Sequence, residues 1–276
     1  MHWLLIALIL GAVEGLTEFL PVSSSGHLIL AGELLHFTGE KASVFQVAIQ
    51  LGAILAVVVL YWPRFMSLLR GLRELRHPRA ALAEEGLQGL RGIWLLILTT
   101  FPPSLAGLLL HQHIKALFSA EAVVLALVVG AVCMLLVEHL AKKIPPRTTS
   151  LDAITPRLAL GIGCCQCLAL WPGFSRSAAT IMGGMLLGAR RDVAAEYSFL
   201  AAVPLMFAAT GYDVLANRAL FSSNDIPLFA AGFLFSFVFA WLAVRTFIAL
   251  VGRLTLRPFA WYRLALALPV YFFMVR

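Results

Sequence analysis

Six runs of this chain, at residues 43–62, 92–110, 120–140, 193–215, 226–250 and 258–275, come close to the roughly 20 apolar residues that carry an α-helix across a bilayer. The period-2 alternation of a porin strand is absent, so the spans are helices and the expected fold is an all-α integral membrane protein. Composition agrees: 61% of residues are hydrophobic and 13% charged, against about 25% charged in a typical soluble domain. A formal charge of +7 would suggest nucleic acid in a soluble protein. Here the basic residues collect in particular loops, which topology explains better, and no nucleic-acid partner is expected.

Two further regions, 2–34 and 156–189, are apolar but broken by Pro/Gly/Ser clusters. Backbone leaves the helix at membrane depth only where protein or a wet cavity satisfies its polar groups, so both read as re-entrant hairpins. For 2–20 a full span is the alternative. A shift of 152 residues lays Glu14 on Gln166, Leu16 on Leu168, Phe19 on Trp171, Ser23 on Ser175, Ser25 on Ser177 and Phe45 on Tyr197. The chain then divides into 1–150 and 151–276, each a hairpin followed by three spans. An odd number of crossings inverts the second copy, and inverted repeats bring discontinuous helices together near the midplane. Glu14, Glu18 and His27 would there meet Arg176.

Arg64, Arg70, Arg73, Arg76, Arg79 and Arg91 outweigh Glu74, Glu84 and Glu85 between the first two spans, which makes that loop cytoplasmic. Counting crossings puts Lys142, Lys143, Arg147, Arg253 and Arg257 on the same side. The first hairpin then enters from outside, the second from the cytoplasm, and both termini lie outside. Pro102-Pro103 predicts a kink in the second span. Met1-His2-Trp3 lacks the basic region of a signal peptide, so the first segment reads as retained. Cys133, Cys164, Cys165 and Cys167 read as small apolar packing residues, although Cys164 and Cys167 form a C-x-x-C. His111, His113 and Lys115 read as a solvated outer loop.

A carboxylate at the bilayer centre costs on the order of 2.5–3.5 kcal/mol to insert. Glu14 and Glu18 carry that cost twice, one turn apart on one helix face, where they suit a single divalent cation or a polar cavity. Pro21, Ser23, Ser24, Ser25 and Gly26 make a turn that opens a helix, and free amides there favour an anion. His27, three residues after Ser24, could serve it as base. Arg176, flanked by Ser175, Ser177 and Thr180, can grip phosphate oxygens bidentately.

The stretches Glu14-Gly15-Leu16-Thr17-Glu18-Phe19-Leu20-Pro21-Val22-Ser23-Ser24-Ser25-Gly26-His27 and Pro172-Gly173-Phe174-Ser175-Arg176-Ser177-Ala178-Ala179-Thr180 resemble the two signatures of the bacterial undecaprenyl-diphosphate phosphatase family, associated with bacitracin resistance. The likeness runs through nearly the whole chain, including Phe45-Gln46-Val47-Ala48-Ile49-Gln50-Leu51-Gly52. It implies removal of the terminal phosphate of undecaprenyl diphosphate, which recycles the lipid carrier for peptidoglycan synthesis. It also implies divalent-metal dependence, on Mg2+ or Ca2+, and a six-span fold with two re-entrant regions. The setting it implies is the bacterial inner membrane, with the active site facing the periplasm.

By position, the resemblance implies Ser24, His27, Glu18 and Arg176 as catalytic and Glu14 with Glu18 as metal ligands. Substrate contacts are expected from Arg176, Ser175, Ser177, Thr180, Ser23 and Gly173. Ala178 stands where the family usually has glycine, which bears on how closely backbone approaches substrate. The expected partners are a polyprenyl diphosphate and membrane lipid, with a homodimer left open. The expected chemistry is attack on phosphorus by Ser24 through His27, with His27 itself or water as alternative nucleophiles. The rival reading is a polyprenyl-phosphate transporter or flippase on the same scaffold.

Overall fold

A computed structural model describes residues 2–72, 86–117, 119–216 and 225–275. In chain order its helices are α1 (His2–Thr17), α2 (Ser24–Leu34), α3 (Glu40–Leu60), α4 (Trp62–Arg70), α5 (Gly89–Leu109), α6 (His111–Ala116), α7 (Ala120–Ala141), α8 (Pro156–Gln166), α9 (Arg176–Leu186), α10 (Arg191–Ala216), α11 (Ile226–Val251) and α12 (Arg257–Met274). Among the described residues there is no β-strand. Arg73, Arg76, Arg79, Glu74, Glu84 and Glu85 lie outside the described residues.

Among the described residues five helices are long and apolar enough to cross a membrane: α3, α5, α7, α10 and α11. The run expected as a sixth span forms the helix α12, which is not among these five and carries Arg257, Arg263 and Pro269. The broken regions form two short hairpins. In each, an apolar helix stops, a turn follows and a second short helix runs back: α1 to α2 through residues 18–23, and α8 to α9 through a 3-10 turn (Cys167–Leu170) and residues 171–175. Helix α5 continues through Pro102 and Pro103.

Small residues set how the hairpins dock. Helix α1 lies against α11, and a Cβ at Gly11 or Gly15 would strike the α11 carbonyls of Gly232 or Ser236. Such contact between small residues is how helices associate where lipid supplies no hydrophobic drive. Helix α8 docks on α5 in the matching way, with Gly163 against the Thr99 carbonyl. The partnering is paired throughout: α3 meets α10, α7 meets α12, α2 touches α12 and α9 touches α7.

One end of the bundle is stitched by basic residues. Arg64 reaches Asp152 at 2.7 Å and Arg91 the Ile154 carbonyl at 3.1 Å. Buried Glu138 of α7 binds Arg191 and the Leu256 amide, tying the start of α10 to the loop before α12. At the opposite end, Lys41 of α3 pairs with Asp225 before α11. Between the ends the outer surface carries exposed Val132, Leu234, Val238 and Leu268, as a lipid-facing surface should.

Candidate active site

The two hairpin turns meet inside the bundle and are built alike. Ser23 caps α2 by accepting from the Gly26 amide at 3.4 Å, and Ser175 caps α9 by accepting from the Ala178 amide at 3.3 Å. Both serines have left-handed backbone, with φ of 72° and 77°. Outside glycine that conformation costs about 1–3 kcal/mol and persists where the surroundings impose it, characteristically at functional sites. Ser177, fully buried, donates to the Leu20 carbonyl at 2.8 Å and locks the second turn onto the first.

The first turn points Ser24 and Glu18 at each other. The Ser24 hydroxyl donates to Glu18 Oε2 at 2.6 Å, while Glu18 Oε1 accepts from Arg176 Nη2 at 3.3 Å. Residues 158 apart in sequence thus form an ion pair with both side chains nearly buried. Arg176 is fixed from two other sides: Nη1 donates to the Ser198 carbonyl at 3.1 Å, and the guanidinium lies 5.6 Å from the centre of the Phe19 ring. A cation over an aromatic face gains attraction without a counter-ion. Thr180 donates to the Arg176 carbonyl at 2.9 Å and contacts the Ser198 hydroxyl.

Glu18, Ser23, Ser24, Ser25, Ser175 and Arg176 line a cavity of about 230 Å3. Gln50, Gln166, Pro172 and Gly173 share its polar part, and Pro103, Ala169, Leu170, Leu205, Met206 and Ala209 form an apolar wall. Pro103 lies late in α5 and residues 205–209 late in α10, so the cavity sits toward the end away from the basic cluster. One arginine, hydroxyls and two neutral amides beside an apolar wall suit a phosphorylated lipid.

Other expected site residues lie elsewhere. His27 does not pair with Ser24: its Nδ1 lies 2.7 Å from the Ser23 carbonyl and its Nε2 2.7 Å from the Tyr262 hydroxyl. The carbonyl can only accept, so the proton sits on Nδ1, and Nε2 accepts from Tyr262 in the neutral ring. The tyrosine ring also stacks on His27, with centres 5.5 Å apart. Ser177 and Thr180 spend their hydroxyls inside the protein and do not line the cavity. Glu14 is fully buried, off the cavity wall, and neither carboxylate oxygen has a partner.

Sequence reasoning missed two neighbours on α12. Tyr262 holds His27 and through it the first turn. Arg263, wholly buried, donates from Nη1 to the Phe174 carbonyl at 2.8 Å and from Nη2 to the Gly173 and Ala126 carbonyls at 3.0 Å. Gly130 leaves the space for it, since a Cβ there would meet the guanidinium. The available signal was an arginine inside the last apolar run, which in a membrane helix marks function by default. Ser198 gave no signal, being one hydroxyl in an apolar helix.

Among the described residues no three of His, Cys, Asp and Glu come together as a metal cage. The donors are nevertheless the hard oxygens that Mg2+ and Ca2+ prefer, and beside phosphate such ions often take only one or two carboxylates. Glu14, with two unpartnered oxygens, and Glu18 fit that requirement.

A family model described as "Bacitracin resistance protein BacA" matches residues 7–269. A protein of Desulfovibrio desulfuricans named undecaprenyl-diphosphatase is 65% identical over 276 residues, covering 100% of each chain. Relatives with the same name in Nitratidesulfovibrio vulgaris and Lawsonia intracellularis are 64% identical over 275 residues, covering 99% of each chain, and 57% identical over 271 residues, covering 98% of each.

Proposed function

Since this chain belongs to the bacitracin resistance protein BacA family, we propose that it hydrolyses undecaprenyl diphosphate to undecaprenyl phosphate and inorganic phosphate in the cavity between its two hairpins. The observation that carries the mechanism is Glu18 bridging Ser24 and Arg176 in the wall of that cavity. The diphosphate occupies the polar part, and the prenyl chain leaves along Pro103, Leu170, Leu205 and Met206.

Glu18 takes the proton of Ser24, and the freed alkoxide attacks the terminal phosphorus. The bond from that phosphorus to the bridging oxygen breaks, and undecaprenyl phosphate departs with the electron pair. Water then displaces serine from phosphorus: its proton passes to Glu18 as Glu18 returns the first one to Ser24, inorganic phosphate leaves, and Glu18 gives up the water's proton to solvent, which restores the base. Arg176 holds charge on the phosphoryl oxygens throughout, and such positioning and neutralisation supply most of the acceleration in phosphoryl transfer. Glu14 and Glu18 are the residues that would hold a divalent cation, which would supply further neutralisation of diphosphate charge. His27 holds the Ser23 carbonyl and keeps Ser24 aimed at Glu18.

Residues 1–150 and 151–276 are read as inverted repeats, a reading supported by the paired docking of α1 on α11 and α8 on α5. The basic end faces the cytoplasm of the bacterial inner membrane by the positive-inside rule, and the cavity faces the periplasm. The decisive assay is phosphate release from a C55 diphosphate by purified protein, with and without chelator. Release that chelator suppresses supports the whole reading; a protein that binds lipid and releases none would be a carrier.

A further inference from the structure

Gln166 is the last residue of α8, immediately before the turn that leads to Arg176. It is 1% exposed and lines the cavity, yet neither its Oε1 nor its Nε2 has a hydrogen-bond partner. A buried amide left unpaired costs about 1–3 kcal/mol, and most buried polar side chains are therefore satisfied. Nor can it easily move to find a partner. Gly163, one turn earlier, sits so close to the Thr99 and Leu98 carbonyls that α8 is pressed onto α5. An unpaired amide held rigidly in the wall of a site is what a ligand-binding group looks like before the ligand arrives.

The charges of the cavity show what is missing. Arg176 is the only cation on its wall among the described residues, and Glu18 already claims part of it. A diphosphate brings more anionic oxygens than one shared guanidinium can serve. Neutral N–H donors bind such oxygens without a counter-charge, and in a site of low dielectric they count for more than in water. Building on the proposed function, we propose that Gln166 is a substrate-binding residue, its side-chain amide donating to a phosphate oxygen of the lipid diphosphate. It lies outside both signature motifs, and in the repeat alignment it occupies the position of Glu14, with an amide in place of the acid.

The test uses the full-length protein in detergent micelles, with phosphate release from a C55 diphosphate and thermal melting measured on the same preparations. Gln166→Leu keeps the bulk and removes both polar atoms. Its KM is expected to rise about tenfold, the size of one lost hydrogen bond to a charged group. Its melting temperature should equal or exceed that of the parent, because an amide kept for substrate does nothing for the empty fold. Gln166→Glu, nearly isosteric, should raise KM further by repelling the diphosphate. Inhibition by inorganic pyrophosphate, which carries the phosphates without the lipid, should weaken in parallel in both variants.

A Gln166→Leu protein with KM within about twofold of the parent would overturn the proposal. So would a raised KM with unchanged pyrophosphate inhibition, since the amide would then not be reading phosphate. If Gln166→Leu melts lower, Gln166→Glu decides, and a normal KM there overturns the assignment. Parent protein that releases no phosphate defeats the underlying reading of the activity instead, so the two failures are distinguishable.

Discussion

Ser24 offers its proton to Glu18 at 2.6 Å, while the imidazole three residues on is occupied by a carbonyl and a tyrosine. Helical spacing suggested the Ser24–His27 pair, but it ignores where a helix begins. Ser24 opens α2 and faces back toward the end of α1, whereas His27 reaches the carbonyl four residues before it. The rank order of two variants therefore locates the base. Glu18→Gln should lower kcat by about 100-fold or more, the usual worth of a general base, and His27→Asn by roughly tenfold through loss of aim. A larger loss in His27→Asn, measured under single-turnover conditions, would return the base to the imidazole. Arg176 binds Glu18 and Ser198 from one planar fork and is proposed to grip substrate from the same fork, so Arg176→Lys should cost at least about tenfold in kcat/KM, roughly 1.4 kcal/mol. Near-normal turnover there would remove the clamp. Glu14→Ala and Glu18→Ala should each need more divalent ion to reach their own half-maximal rate, and unchanged requirements in both would detach the acids from the metal.

Helix α12 does more than its sequence advertises. Tyr262 and Arg263, adjacent on one helix, brace one hairpin turn each. Arg263→Met would leave the Ala126, Gly173 and Phe174 carbonyls without this donor and should destabilise the protein by about 3 kcal/mol or more. Thermal melting with and without substrate lipid checks it, and a variant as stable as the parent would show that water or another donor replaces the guanidinium. Tyr262→Phe keeps the ring on His27 and loses only the hydroxyl, so it should be the milder change. The broken hairpins were legible in the sequence because Pro, Gly and Ser interrupt apolar runs at both places, and Glu14, Glu18 and Arg176 because charge is costly in such runs. The bracing was not legible: carbonyls carry no sequence signature, and an arginine in a span does not announce which backbone it will bind. Ser198 was hidden for the same reason, since it holds Arg176 chiefly through its carbonyl.

At the scale of the molecule, the two ends of the bundle differ in charge, and the proposal that the cavity opens to the outside rests on that asymmetry. With the native cysteines replaced, Gln112→Cys on α6 should react with an impermeant reagent added to intact cells, while Lys142→Cys beside the basic cluster should not; both side chains are exposed. The reverse pattern would turn the protein over in the membrane. Glu18 meets Arg176 across 158 residues, and the turn that carries Arg176 is pinned by Arg263 of the last described helix. A ribosome delivers these helices in order, so the acids and Ser24 reach the membrane long before their partners. The candidate site is braced only after Arg263 has been made, so a chain stopped at residue 256 is expected to carry Glu18, Ser24 and Arg176 and yet release no phosphate.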